Sequence, residues 1–176
     1  MTSSTIGASE SARMTTAREA AFRIDRPNSL PRAVHVFALD DPSWRLLTEL
    51  AQQPWTRAAF FSAQSFDSRT PPPGGAEAVS AWARDLAGRT RDLVAEIGRA
   101  DVVVLVATAG HDAGMASIIG QACREQGRNC AGIVLHGTAG DRVNAATMAR
   151  MRPHVRMLVA ADDADYLTQM LSALRA

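Results

Sequence analysis

Thr108, Gly110, His111, Asp112 and Gly114 fall together in the stretch Thr108-Ala109-Gly110-His111-Asp112-Ala113-Gly114, between an apolar run and an amphipathic one. A hydroxyl, two glycines, an imidazole and a carboxylate put flexible backbone beside groups that bind ligands or move protons. A turn of this kind at the head of a helix holds an anion when its N–H groups point outward, because the positive end of the helix dipole lies there too. The plainer alternative is ordinary turn chemistry with Asp112 as the helix N-cap. A second glycine-bearing turn, His136-Gly137-Thr138-Ala139-Gly140, and two acidic turns, Asp40-Asp41 and Asp162-Asp163, lie elsewhere in the chain. Asp40, His136 and Asp162 therefore join the first five as candidate ligand-binding residues. A histidine, His111 or His136, oriented by Asp40 or Asp112 would make an acid–base pair. No residue is assigned a catalytic role on this evidence. No HxH, HxxxH or CxxC spacing is present, so no metal site is expected.

These residues have meaning only if the elements around them bring them to one edge. Residues 101–108 form a continuous apolar run, as in parallel strands covered on both faces. Residues 113–126 read as a helix stopped by Gly127, and 130–136 as the next strand. The unit is βαβ, and its turn is where such folds usually bind ligands. The same alternation runs from residue 33: strands at 33–39, 56–62 and 155–160, helices at 41–53, 76–97, 141–151 and 162–174. Asp41 and Pro42 supply an N-cap and an N1 proline for the first helix. In the long helix, Val79, Trp82, Ala83, Leu86, Leu93 and Ile97 fit one apolar face, with Gly88 weakening the middle. The fold class is α/β: a three-layer αβα sandwich on a five-stranded, mostly parallel, Rossmann-like sheet. Either strand order, 3-2-1-4-5 or 2-1-3-4-5, is compatible with the sequence. Residues 1–32, rich in Ser, Thr, Ala and Arg, read as a flexible tail, and 33–176 as a single domain.

Composition removes several classes. All nineteen basic residues are arginine. A Walker A loop, a pyridoxal Schiff base and a protein kinase each need a lysine. A response-regulator receiver needs one as well, and an aspartate where this chain has Ala107-Thr108. No GxGxxG follows the first strand and no GxSxG occurs. A net charge of +1 gives no field for nucleic acid or acidic membranes. No apolar run has the length of a membrane span, and the N-terminus has no signal-like apolar segment. A cytoplasmic location is expected. Cys123 and Cys130 read as small core residues.

The segment Ala100-Asp101-Val102-Val103-Val104-Leu105-Val106-Ala107-Thr108-Ala109-Gly110 resembles the strand that leads into the signature glycine loop of the tubulin superfamily, in particular its FtsZ-like division GTPases. The helix ending Arg124-Glu125-Gln126-Gly127, the strand Ala131-Gly132-Ile133-Val134-Leu135 and the stretch Met148–Asp163 are similar in order. The resemblance covers residues 95–167, and more loosely 33–65. It implies a nucleotide, or another phosphorylated small molecule, at the turn after residue 108. The family's dense glycine loop is replaced here by Gly110-His111-Asp112-Ala113-Gly114-Met115-Ala116-Ser117, which carries an acid. The chain also ends where the family's central helix would begin. The resemblance thus implies binding without GTP turnover or filament formation. The expectation is a small-molecule or nucleotide-binding module. The alternative is an accessory protein that docks a partner, or another copy of itself, through its tail or a helix face. A small His/Asp enzyme is the third reading.

Overall fold

The computed structural model describes residues 30–66, 75–136 and 141–176. The expected tail lies almost wholly outside them, as do residues 67–74 and Gly137 to Gly140. Five parallel strands form one sheet: β1 (Val34–Ala38), β2 (Ala58–Ser62), β3 (Val102–Thr108), β4 (Asn129–Leu135) and β5 (Met157–Ala161). The order is β2-β1-β3-β4-β5, which settles the alternative the sequence left open. Among the described residues five α-helices accompany them: α1 (Asp41–Leu50), α2 (Ala76–Arg99), α3 (Met115–Glu125), α4 (Asp141–Met151) and α5 (Asp165–Ala173). Among the described residues no helix is long and apolar enough to cross a membrane.

Strand order and handedness decide which face each helix covers. The step from β1 to β2 runs one way along the sheet and every later step runs the other. Right-handed crossovers therefore put α1 on one face and α2, α3 and α4 on the opposite one. The two cores follow this division. Val34, Val36, Val104, Val106 and Ile133 pack with Leu47 of α1 and with Leu167 and Leu171 of α5. Phe37, Val103, Leu105 and Val134 pack with Leu93 and Ile97 of α2, Ile119 of α3 and Met151 of α4. Along β3 the side chains alternate between the two clusters, as the pleat requires. A strand buried on both faces explains why its sequence reads as unbroken Val/Leu.

Several element ends differ from the sequence reading. Asp40, not Asp41, caps α1, Ser43 completes a capping box with it, and the helix ends at Leu50, three residues before the expected end. α3 begins at Met115 rather than at 113, because Asp112 makes an Asx turn to the N–H of Gly114 and no side chain caps the helix. β5 begins at Met157, later than expected, because Arg152–His154 form a 3-10 turn ahead of it. The largest difference concerns α2. Its 24 residues are about 36 Å long, against about 23 Å for the seven-residue β3 beside it. The helix ends level with the start of β3, so its first turns overshoot the carboxyl edge of the sheet. Leu93 and Ile97 are core residues, whereas Trp82 and Leu86 are only half-buried and Ala83 is exposed.

α3 approaches the 3-10 turn closely at Gly120. A Cβ there would meet the carbonyl oxygen of His154 and lie 2.8 Å from its Cβ. Gly88 of α2 has open space at the corresponding position. We expect Gly120→Ala to destabilise the protein by about 2 kcal/mol, through overpacking against backbone that has nowhere to go. Gly88→Ala should stabilise it by about 0.5–1 kcal/mol, through lower unfolded-state entropy. Urea denaturation of the two variants checks both signs.

His35 of β1 is buried beside Phe61, and its Nδ1 has no hydrogen-bond partner among the described residues. Burial holds its imidazole below the ordinary 6.5, against the pull of Glu96 at 3.7 Å, with Arg99 adding to the depression. The unfolded chain then takes up a proton more readily than the folded one. The His35 contribution to stability is present above pH 6.5 and is lost as pH falls through it. Denaturation midpoints at about pH 7.5 and about pH 5.5 should differ, and His35→Phe should narrow the difference.

Candidate functional site

The carboxyl ends of the strands gather the loops that the sequence singled out. The chain leaves β1 for one side of the sheet and returns on the other as β3, so the switch point lies between these two strands. Ligands of open parallel sheets usually sit at such a point. Here Asp40 occupies it. One carboxylate oxygen accepts from the N–H of Ser43 at 2.8 Å, and the other from the N–H of Thr108 at 2.7 Å. The residue is only 4% exposed. Asp40 thus ties the head of α1 to the end of β3, and no histidine hydrogen-bonds to it.

The turn after β3 is held by its own chain. The N–H of Ala109 donates to Leu135 O at 3.0 Å, and that of His111 to Thr108 O at 3.1 Å. The N–H of Gly110 donates to Thr147 Oγ1 of α4 at 3.1 Å, and that of Gly114 to Asp112 Oδ1 at 2.9 Å. Gly110 has a φ of 87°, which only glycine adopts without strain. Most N–H groups that would cradle a phosphate in this turn are therefore already engaged. His111 and Asp112 are exposed, Thr108 and Gly114 half-buried.

His136 and Asp162 come together at the ends of β4 and β5. Their Nδ1 and Oδ1 atoms are 3.2 Å apart, and the side chains are 36% and 92% exposed. The N–H of His136 also donates to Ala161 O at 2.8 Å. A pair this open contributes little to stability. It borders a polar hollow of about 370 Å³ that Asp162, Asp163, Asp165, Tyr166 and Gln169 help to line. Among the described residues no group of three or more His, Cys, Asp and Glu side chains is placed to hold a metal ion.

A different hollow, of about 290 Å³, opens at the head of α3. Asp112, Ala113, Gly114 and Ser117 form one wall, and Arg150 and His154 the other. Ser117 donates its hydroxyl proton to Gly114 O at 2.8 Å, leaving its oxygen lone pairs open to the hollow's side of the helix. The sequence reading found Asp112 and Gly114 but missed Ser117, Thr147, Arg150 and His154. The available signal was Asn144 and Thr147, polar residues buried on one face of α4. In a βαβ series α4 packs beside α3, and a threonine facing inward there needs a partner.

Comparison of the sequence with protein-family models and with curated proteins finds no match. The geometry alone carries the functional argument.

The bonds of Asp40 give a direct expectation. Asp40→Ala removes a helix cap and a charge-assisted bond to a buried strand end, and should cost about 3 kcal/mol. Asp40→Asn keeps one acceptor oxygen and should cost less. Chemical denaturation of the two variants measures the order.

Proposed function

We propose that this protein is a small-molecule-binding α/β module that does not turn over nucleotides, and that its ligand is a compact polar molecule carrying an anionic group. The observation behind this reading is the hollow at the head of α3. It lies at the carboxyl edge of a parallel sheet, where such folds bind ligands. It opposes the helix N-terminus and the Ser117 hydroxyl to Arg150 and His154. Its volume of about 290 Å³ is near the lower limit for ligand clefts. A phosphorylated or carboxylated metabolite suits that size better than a nucleoside triphosphate.

In this reading Thr108, Gly110, His111, Asp112 and Gly114 form the rim of the site, and Asp40 holds the rim in shape. His136 and Asp162 belong to the neighbouring loop pair. Kinship with the tubulin superfamily is retained only as a degenerate form, since the turn bonds its N–H groups internally instead of offering them to a polyphosphate. The setting we propose is cytoplasmic.

A second reading has one observation in its favour. Along the middle of α2, Ala83, Leu86, Ala87, Thr90, Arg91 and Val94 line an open, mostly apolar hollow of about 580 Å³. A protein partner or a second copy of this chain would dock there, and the protein would be an accessory factor.

A thermal-shift panel of nucleotides, small phosphorylated metabolites and small organic acids separates the readings. A ligand at a hundredfold its Kd adds about 2.7 kcal/mol, which raises the melting temperature of a domain this size by roughly 5–10 °C. We expect that shift with a small anionic metabolite, its loss in Arg150→Gln, and no phosphate release from GTP. A flat response would overturn the ligand-binding reading and favour docking through α2.

A further inference from the structure

The opposite end of α3 borders another hollow, of about 340 Å³, at the amino edge of the sheet. Arg124, Arg128 and Arg156 line it together with His154, Cys123 and Cys130, and none of its lining residues is acidic. The three arginines come from three places: the last turn of α3, the connection to β4 and the entry to β5. Among the described residues none of them pairs with a carboxylate. Arg128 donates through Nη2 to Gly98 O, while its Nε is buried with no partner. Arg156 donates to Asn129 Oδ1 at 3.2 Å. The Arg124 side chain makes no hydrogen bond to any described residue. His154 adds a buried Nδ1, likewise without a partner among the described residues.

Capping of α3 does not account for these charges. The last helical carbonyls are already satisfied by backbone: Ala122 O by Gln126, Cys123 O by Arg128 and Arg124 O by Gly127. Three arginines line one concavity with no acidic residue among its lining residues, and like charges gathered there repel one another unless something of opposite sign lies between them. The planar donor fork of arginine matches phosphate and carboxylate oxygens, in pairs where geometry allows.

We propose that this hollow is a second binding site, distinct from the one at the head of α3, and that it takes a small molecule bearing phosphate or carboxylate groups, gripped by Arg124, Arg128 and Arg156. The two cysteines provide a local reporter. The two thiols interact with each other, which holds the Cys123 thiol below its ordinary range and, together with burial, pushes that of Cys130 up. Both thiols are buried, Cys130 at 5% exposure, and both line this hollow. A ligand seated under the arginines closes the approach to them.

The test is isothermal titration of the full chain with inorganic pyrophosphate and with citrate, paired with native-state alkylation of the two thiols. Arg124 and Arg156 are exposed, so Arg124→Gln and Arg156→Gln should fold, which an unchanged melting temperature verifies. We expect each substitution to weaken binding by about tenfold, and the double variant to abolish it. Arg150→Gln should leave this site unchanged, which separates its failure from that of the site at the head of α3. Bound anion should slow alkylation several-fold in the parent protein and not in the double variant. Arg124→Lys should recover part of the affinity, since it keeps the charge but not the fork. No binding tighter than about 10 mM, binding untouched by the double substitution, or alkylation indifferent to the anion would each overturn the proposal.

Discussion

One carboxylate holds the functional edge of this protein together. Asp40 lies where the chain changes direction across the sheet, and its two oxygens bind two different elements, α1 through Ser43 and β3 through Thr108. A buried carboxylate needs such partners, because an ion removed from water without them costs several kcal/mol. Two charge-assisted bonds of 2.7–2.8 Å supply them here. The consequence reaches beyond stability. At the switch point of a parallel sheet the strand ends diverge and leave a crevice. In this chain a negative charge lies in that crevice and fixes the first N–H of the turn that follows β3. Most of the other N–H groups of the turn are directed to Leu135, Thr147, Thr108 and Asp112. The place where the fold usually receives an anion is thus occupied by a bonded carboxylate, and a hollow opens beside it at the head of α3, facing Arg150 and His154.

The layers and elements were legible in the sequence, because the physics that fixes them is local and periodic. Val102 to Ala107 reads as part of a strand covered on both faces and Gly127 as a helix stop, and in the structure Gly127 takes a φ of 64°. Asp40 was legible as an acid at a strand end, but not as a bridge. Its partner Thr108 lies 68 residues away, and pairing across a sheet depends on strand order, which one sequence does not encode. The same gap hid the length mismatch of α2. Its apolar face from Trp82 to Ile97 is continuous in the sequence, yet only Leu93 and Ile97, over the sheet, reach the core.

The two hollows along α3 show a pattern that was present in the sequence but had no partner there. Gly114, Ser117, Gly120, Cys123 and Gly127 recur at spacings of three and four and mark one stripe of the helix and its flanks with small residues. A stripe of small residues lets another backbone come close, and the element that does so is the 3-10 turn Arg152–His154, more than thirty residues later. At Gly120 the approach is so close that a Cβ would not fit. On either side of that contact the small side chains leave space, which becomes one hollow at the head of the helix and another at its tail.

The charges around those spaces are opposite in arrangement. At the head, Asp112 faces Arg150 and His154, so the hollow carries both signs and a ligand there must satisfy both. At the tail, three arginines meet with no acid among the lining residues, so the field has one sign. Because every cation in this chain except histidine is a guanidinium, neither site can offer a lysine to form a Schiff base or act as a titrating base near neutral pH. What the arginines can do is hold planar oxyanions in a fixed orientation. That capacity, set by composition before any folding, is why both hollows are better suited to binding than to covalent chemistry through an amine.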